Sequence, residues 1–214
     1  MKINHTILNK NDIAYQKIKQ EIINGTLSKD TPVSEAILVE KLQISRTPIR
    51  AALQKLQAEG FVRIIPNQGV VIKELTLKEA NELFDLRMTL EKFLIQKLSL
   101  YITEEDLKEL EKIIDKQEKA CQKLDYNEFK TLDREFHCFN YKHYENDIMY
   151  SVLDNCCDRF AAYHSTSWHI PGRMKVVIEE HKEILRALRS KDVEYISDLT
   201  EKHVLRGVMS MFNL

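Results

Sequence analysis

Glycine and proline are scarce in this 214-residue chain, at five and four copies. That scarcity argues against collagen-like, disordered or turn-rich all-β architectures. Cysteine is scarce too. Cys121, Cys138, Cys156 and Cys157 show no framework spacing and two of them are adjacent, so they read as reduced thiols rather than disulfide staples. No apolar run approaches the roughly 18 to 20 residues of a membrane span. The first residues, with Asn4, His5, Asn9 and Asn11, lack the apolar stretch of a signal peptide. The expectation is a cytoplasmic protein with no membrane partner. What the chain does have is 43% hydrophobic residues, 30% charged residues, eight Tyr and eight Phe. This is bulk enough for one substantial core or two smaller ones built mainly of helices.

The formal net charge of -1 says nothing in favour of a polyanionic partner until it is divided along the chain. Residues 1–75 carry 11 Lys and Arg against 7 Asp and Glu, whereas residues 76–214 carry 21 against 26. A basic module is thus followed by an acidic one. The first begins with a helix over about Asp12 to Asn24, with Ala14, Ile18 and Ile22 on one face and Gly25 as its stop. Ser34 caps a short helix, and Ser45 caps another in which Pro48 sits in the first turn. Ile49, Ala52, Leu53 and Leu56 share one face of that helix, while Arg46, Arg50, Gln54 and Gln57 lie elsewhere. Two β-branched runs, Phe61–Ile65 and Val70–Lys73, flank Pro66-Asn67-Gln68-Gly69 and read as a hairpin. This order of elements is that of a winged helix-turn-helix. From residue 76 onward, six helical stretches (77–100, 103–123, 126–143, 147–165, 171–189 and 191–212) separated by short breaks predict an antiparallel helical bundle. The fold class is therefore mostly α, with domains at 1–75 and 76–214.

A helix that reads DNA needs donors at its N-terminal end and cations that settle on phosphates. Ser45-Arg46-Thr47-Pro48-Ile49-Arg50 supplies both. Arg46 and Arg50 stand one turn apart, suited to bidentate contact with guanine O6 and N7. Thr47 adds a short polar contact, and Gly69 lets a wing tip approach a backbone or a minor groove. The string from Ser34 to Ile72, SEAILVEKLQISRTPIRAALQKLQAEGFVRIIPNQGVVI, resembles the N-terminal domain of GntR-family transcriptional regulators nearly position for position. The resemblance implies that Arg46, Thr47 and Arg50 meet double-stranded DNA and that Gly69 belongs to the wing. Where many members of that family carry a basic residue after the Ser-Glu pair, this chain has Ala36.

In the second module, Asp133 and His137 are i, i+4 on a stripe shared with Phe129 and Phe136. His181 lies among Val177, Ile178, Ile184 and Leu185, and His203 follows Ile196 and Leu199 on its own helix face. The chain reverses near Ser190-Lys191, ~13.5 Å after His181 and ~18 Å before His203 at the helical rise, so both imidazoles reach similar heights. Three inward imidazoles and one carboxylate suit a divalent transition metal, with zinc the default and nickel or another borderline ion the alternative. Each His can also be read as a core residue with a backbone partner. His5, His143, His164 and His169 read as surface or pocket-edge residues. Arg87, in the stripe Leu83, Arg87, Leu90, Leu94, is either an ion-pair partner of Glu91 or a cation for a carboxylate ligand.

The spacings LR-x-x-LE (Leu86 to Glu91), D-x-x-FH (Asp133 to His137), EH-x-x-IL-x-A-L (Glu180 to Leu188) and the late His203 resemble the FCD-type ligand-sensing domain of the FadR subgroup. By that resemblance Asp133, His137, His181 and His203 hold a metal ion, and Arg87 helps hold a carboxylate effector. The less typical stretch Tyr163-His164-Ser165-Thr166-Ser167-Trp168 is expected to shape the effector pocket.

The expected function is a homodimeric regulator, a repressor by the family's usual mode. It would bind a palindromic operator with an affinity set by a small organic acid at a metal site. Two alternatives are a regulator that senses the ion itself and a metal-dependent hydrolase. Against the hydrolase stand the absence of an inward general base beside the ligands and the presence of a DNA-reading module; the expectation is not an enzyme.

Overall fold

The computed structural model describes residues 9–27, 31–144, 146–163 and 169–211. The chain divides into two compact units. One comprises residues up to Thr76 together with Asp158–Ser165, and the other Leu77–Cys157 together with Thr166–Leu214.

The first unit opens with α1, Lys10–Ile23, capped by Asn9, whose side chain accepts from the backbone N–H groups of Asn11 and Asp12. It stops at Asn24, and Gly25 takes the left-handed φ of +70° that ends helices cheaply. Next come α2, Glu35–Leu42, with Ser34 accepting from Ile37 N–H at 3.3 Å, and α3, Arg46–Ala58. Strands β1 (Val62–Ile65) and β2 (Gly69–Ile72) pair antiparallel with Val62 opposite Ile72 and Ile65 opposite Gly69. Val33 bridges to Val70 on the outer edge. Ile18 and Ile22 of α1, Leu38 of α2, and Ile49, Leu53 and Leu56 of α3 meet Phe61 in one core. Each such side chain contributes roughly 1.5–3 kcal/mol by leaving water. Tyr15 donates to Glu59 at 2.6 Å, tying α1 to the end of α3. The Gln57 side chain accepts from Ile64 N–H at 2.8 Å, tying α3 to the hairpin.

The second unit is built from α4 (Leu77–Tyr101), α5 (Glu104–Lys123), α6 (Tyr126–His143), the first part of α7 (Asp147–Tyr163), α8 (Arg173–Ser190) and α9 (Val193–Met211). Each lies within about two residues of its sequence-predicted span wherever its end is described, the natural uncertainty of helix ends. Local chemistry sets the starts. Thr103 and Asp106 form a reciprocal capping box, Asp125 accepts from Glu128 N–H, and Asp192 accepts from Tyr195 N–H. Left-handed residues Leu124 and Lys191 reverse the chain at φ of +56° and +57°. The pairs α5–α6 and α8–α9, adjacent in sequence, pack together as the short breaks predict, whereas α4 packs on α9, from the far end of the chain. Lys92 pairs with Glu201 and Gln96 with Ser197, so α4 and α9 run antiparallel. Glu111 with Arg189 and Glu118 with Lys182 show the same for α5 and α8. The core between them includes Leu98, Leu110, Ile113, Phe129, Phe136, Val177, Leu188 and Ile196. Among the described residues no helix is long and apolar enough to cross a membrane.

Candidate metal centre and nucleic-acid interface

His137 on α6, His181 on α8 and His203 on α9 come together inside the bundle, 6%, 0% and 6% exposed. One ring nitrogen of each lies within 4.8 Å of the others. Packing turns the rings: Phe136 stacks on His181 with centroids 3.8 Å apart, and His137 stacks on His203 at 5.0 Å. The far nitrogen of every ring is held by its own acceptor. His137 Nδ1 lies 3.2 Å from Glu91 Oε2, His181 Nδ1 lies 2.9 Å from Gln117 Oε1, and His203 Nδ1 lies 2.7 Å from Glu180 Oε2. A carboxylate or amide oxygen can only accept, so each ring turns an Nδ1 proton to its acceptor and leaves Nε2 as the nitrogen that can serve as a ligand.

Those nitrogens face one another. His203 Nε2 and His137 Nε2 are 3.1 Å apart, close to the roughly 3.3 Å expected of two nitrogens at 2.0–2.1 Å on one tetrahedral ion. His181 Nε2 is buried with no hydrogen-bond partner. Burial, and then the neighbouring His203 and His137, push the His181 pKa well below its ordinary value. Burial likewise lowers His203, although its bond to Glu180 works the other way. Three converging imidazoles, each held from behind at Nδ1, are what a borderline divalent cation requires, and their acceptors are what orients such ligands. The residues present therefore fit a metal ion.

Asp133 stands one turn before His137 on α6 and is not part of the three-histidine cluster; its Oδ1 lies 3.7 Å from His181 Nε2. Arg87 pairs with Glu91 at 2.5 Å, the i, i+4 ion pair open to it in the sequence, and its side chain is 12% exposed. Burial opposes ionisation of Glu91, but the Arg87 guanidinium and then the contact with His137 outweigh it and hold this carboxyl well below the usual range. Arg87 thus reaches the histidines through Glu91. Glu180 is shared in the same way, Oε2 with His203 and Oε1 with Arg206 Nη1 at 3.0 Å. The sequence reading missed the roles of Gln117, Glu180 and Arg206, and saw Glu91 only as a partner for Arg87. Their signal was present: Gln117 interrupts the apolar stripe Leu110, Ile113, Ile114, Ala120, and Glu180 lies on the stripe of Val177 and His181. His169 is exposed, with its ring 4.2 Å from that of Tyr126. His5 and residues 164–168 of the expected pocket stretch lie outside the described residues.

In the other unit, Arg46, Thr47 and Arg50 are exposed on the first two turns of α3, opposite buried Ile49, Ala52 and Leu53. Arg50 Nε donates to Glu35 at 2.8 Å, yet the side chain remains 63% exposed. Ser45 occupies the N-cap position but makes no side-chain capping bond. A capping hydroxyl bonds the second or third helical N–H, and the third helical residue is Pro48, which has none. The start of α3 thus keeps its polar groups toward solvent, as an anion-binding helix end does. Gly69, at φ +114°, is required by the protein's own backbone, since a Cβ there would lie 2.8 Å from the Val33 carbonyl oxygen.

Comparison with known proteins resolves the kinship. Residues 10–72 match the model of the bacterial regulatory proteins of the gntR family, and residues 82–206 match the FCD domain. The chain belongs to the GntR family. Its fold of a helix-turn-helix with a two-strand hairpin followed by a helical C-terminal domain is that of solved relatives. E. coli McbR/YncC superposes with a TM-score of 0.84 at 22% identity, covering 96% of this chain and 98% of the other. Among curated relatives, the gluconate operon transcriptional repressor of Bacillus subtilis is 25% identical over 84% of this chain and 75% of its own. The HTH-type transcriptional repressor RspR of Escherichia coli is 21% identical over 91% and 85%. This GntR regulator is thus a transcription factor by family rather than an enzyme. The family binds DNA operators.

Proposed function

We propose that this GntR regulator is a homodimeric repressor. It grips a palindromic operator and changes affinity when a small organic acid binds beside a zinc ion in the bundle. The observation that carries this reading is the convergence of three Nε2 atoms in a buried space, one of them partnerless, with every Nδ1 held from behind. His137, His181 and His203 would hold the ion with Asp133 as the fourth ligand. Nitrogen and oxygen donors of this kind favour zinc, with nickel the alternative. A bound divalent ion supplies a Lewis-acidic position for the carboxylate of an acid. Arg87, linked to His137 through Glu91, is the cation that senses that carboxylate.

Arg46, Thr47 and Arg50 read the operator from the major groove, and Gly69 carries the wing. A palindrome has two half-sites and calls for two copies. Leu86, Phe93 and Leu100 of α4 are 41%, 38% and 65% exposed at seven-residue spacing, the period of a helix-to-helix seam, and supply a face for the second copy. The repressor relatives support the sign of regulation.

The decisive measurement is elemental analysis of the purified protein combined with mass spectrometry of small molecules released from it. Stoichiometric zinc plus a small acid is expected, and the His181→Ala, His203→Ala double variant should lose the metal. Retention of stoichiometric metal by that variant would sink the site. Metal with no acid, and an operator affinity that follows the metal alone, would make the ion itself the signal.

A further inference from the structure

The α8–α9 face of the bundle holds a cavity of about 250 Å³ that the reading above leaves unused. Tyr195, Leu199, Lys202 and Arg206 line it from α9 and Glu183 from α8, and Glu180 and His203 reach it as well. One carboxylate spans two worlds here. Glu180, 7% exposed, gives Oε2 to the buried His203 Nδ1 at 2.7 Å and Oε1 to Arg206 Nη1 at 3.0 Å, and the Arg206 side chain is 58% exposed. An ion pair with so exposed a cation is weakly held, because water and other anions compete for it. Arg173 adds further positive field at Glu180. Of the residues that line the cavity, Lys202 and Arg206 face two carboxylates, of which Glu180 is already engaged by His203.

The geometry points to a second small-molecule site in this cavity, for a small organic carboxylate, with Lys202 and Arg206 as its cations and Arg206–Glu180–His203 as the chain that reports its occupancy to the metal-ligating imidazole. Its volume is at the small end for ligand sites, which suits a short acid. Leu199 offers contact for a short carbon chain. Glu183 accepts from a hydroxyl or ammonium on the same molecule. A carboxylate that draws Arg206 to itself leaves the charge of Glu180 less neutralised. The His203 Nδ1–H bond to Glu180 then strengthens and Nε2 becomes a better donor. Occupancy should therefore tighten metal binding, and metal should tighten occupancy by the same factor. This coupling rests on the metal reading, whereas binding in the cavity does not.

The test uses the full-length protein, stripped of metal by a chelator and then reloaded with zinc, titrated calorimetrically with succinate and separately with inorganic phosphate. Succinate should bind the stripped protein, and Lys202→Ala with Arg206→Ala should weaken it by about tenfold or more, the loss of two charge-assisted contacts. Both side chains are exposed, so unchanged thermal melts are expected to certify the fold, with Lys202→Ala alone as a milder second variant. Succinate affinity within about twofold of wild type in the double variant overturns the site, and phosphate binding as tightly as succinate overturns the ligand class. In a chelator competition, succinate should raise zinc affinity about threefold or more in the wild type and leave Arg206→Ala unmoved. An equal response in both overturns the coupling. Absence of zinc binding in any form would refute the metal reading, leaving the succinate titration of the stripped protein to decide the cavity.

Discussion

Arg46, Thr47 and Arg50 stand in water with one face of α3 buried beneath them, whereas His137, His181 and His203 stand in the core with each ring tied to a partner. The N-terminal unit keeps these polar groups available by leaving them in solvent, Arg50 in an ion pair that is itself exposed. Even the N-cap hydroxyl of α3 is uncommitted to its own helix. The bundle does the reverse, since a polar group in its interior carries a desolvation cost unless something holds it. Glu91, Gln117 and Glu180 supply that hold, and the three inward nitrogens are left facing one another. A surface that meets a large polyanion tolerates solvent between contacts, while a buried ligand set has to be held in one tautomer and one orientation before its ligand arrives.

The sharpest way to break the comparison is to remove a partner from behind a histidine. Gln117→Leu leaves His181 Nδ1 without its acceptor, so metal affinity should fall by about 10- to 100-fold. Competition with a colorimetric chelator reads this directly. An unchanged affinity would mean that Gln117 is only a core residue.

On the exposed side, Arg50→Ala should weaken operator binding by the ~1–3 kcal/mol of a bidentate base contact and leave metal content untouched. A gel-shift titration with a selected operator measures it, and equal affinities would remove Arg50 from the reading set. A smaller effect comes from Tyr15, whose pKa is raised to about 12 by burial and then by the Glu59 carboxylate. The folded chain holds this proton more tightly than the unfolded one, which releases it near pH 10. The associated stability is therefore complete below pH 10 and is lost as pH climbs toward about 12. Denaturant midpoints of wild type and Tyr15→Phe should converge across that window, and a constant gap would contradict the assignment. Smallest of all is Ser45→Ala. With no capping bond to lose, it should change unfolding free energy by less than about 0.5 kcal/mol, as chemical denaturation can verify. A loss near 1 kcal/mol, typical of a working cap, would show that the hydroxyl caps α3 in solution.

Much of this architecture is written locally. Gly25, Ser34, Thr103 and Asp125 act on neighbours a few residues away, so helix ends can be read from the residues themselves. Apolar periodicity likewise announces which face of α3 or α8 goes inside. Ser45 shows the limit even at short range, because Pro48 removes one of the two donors its hydroxyl could cap and the hydroxyl makes no capping bond. Gly69 shows another limit. Its closeness to Val33 joins positions 36 residues apart, and nothing near Gly69 in the sequence names Val33.

The sequence by itself determined the order of helices, the hairpin, the inward-facing histidines and the exposed arginines, because each follows from spacing along one element. Only the tertiary structure decided that α4 closes against α9, that Glu91, Gln117 and Glu180 stand behind the three imidazoles, and that Glu180 reaches out to Arg206 at a surface cavity. These contacts join residues from 23 to 64 positions apart or more. They arise from which helix faces meet when the core is filled, a choice made by packing and not by any local run of residues.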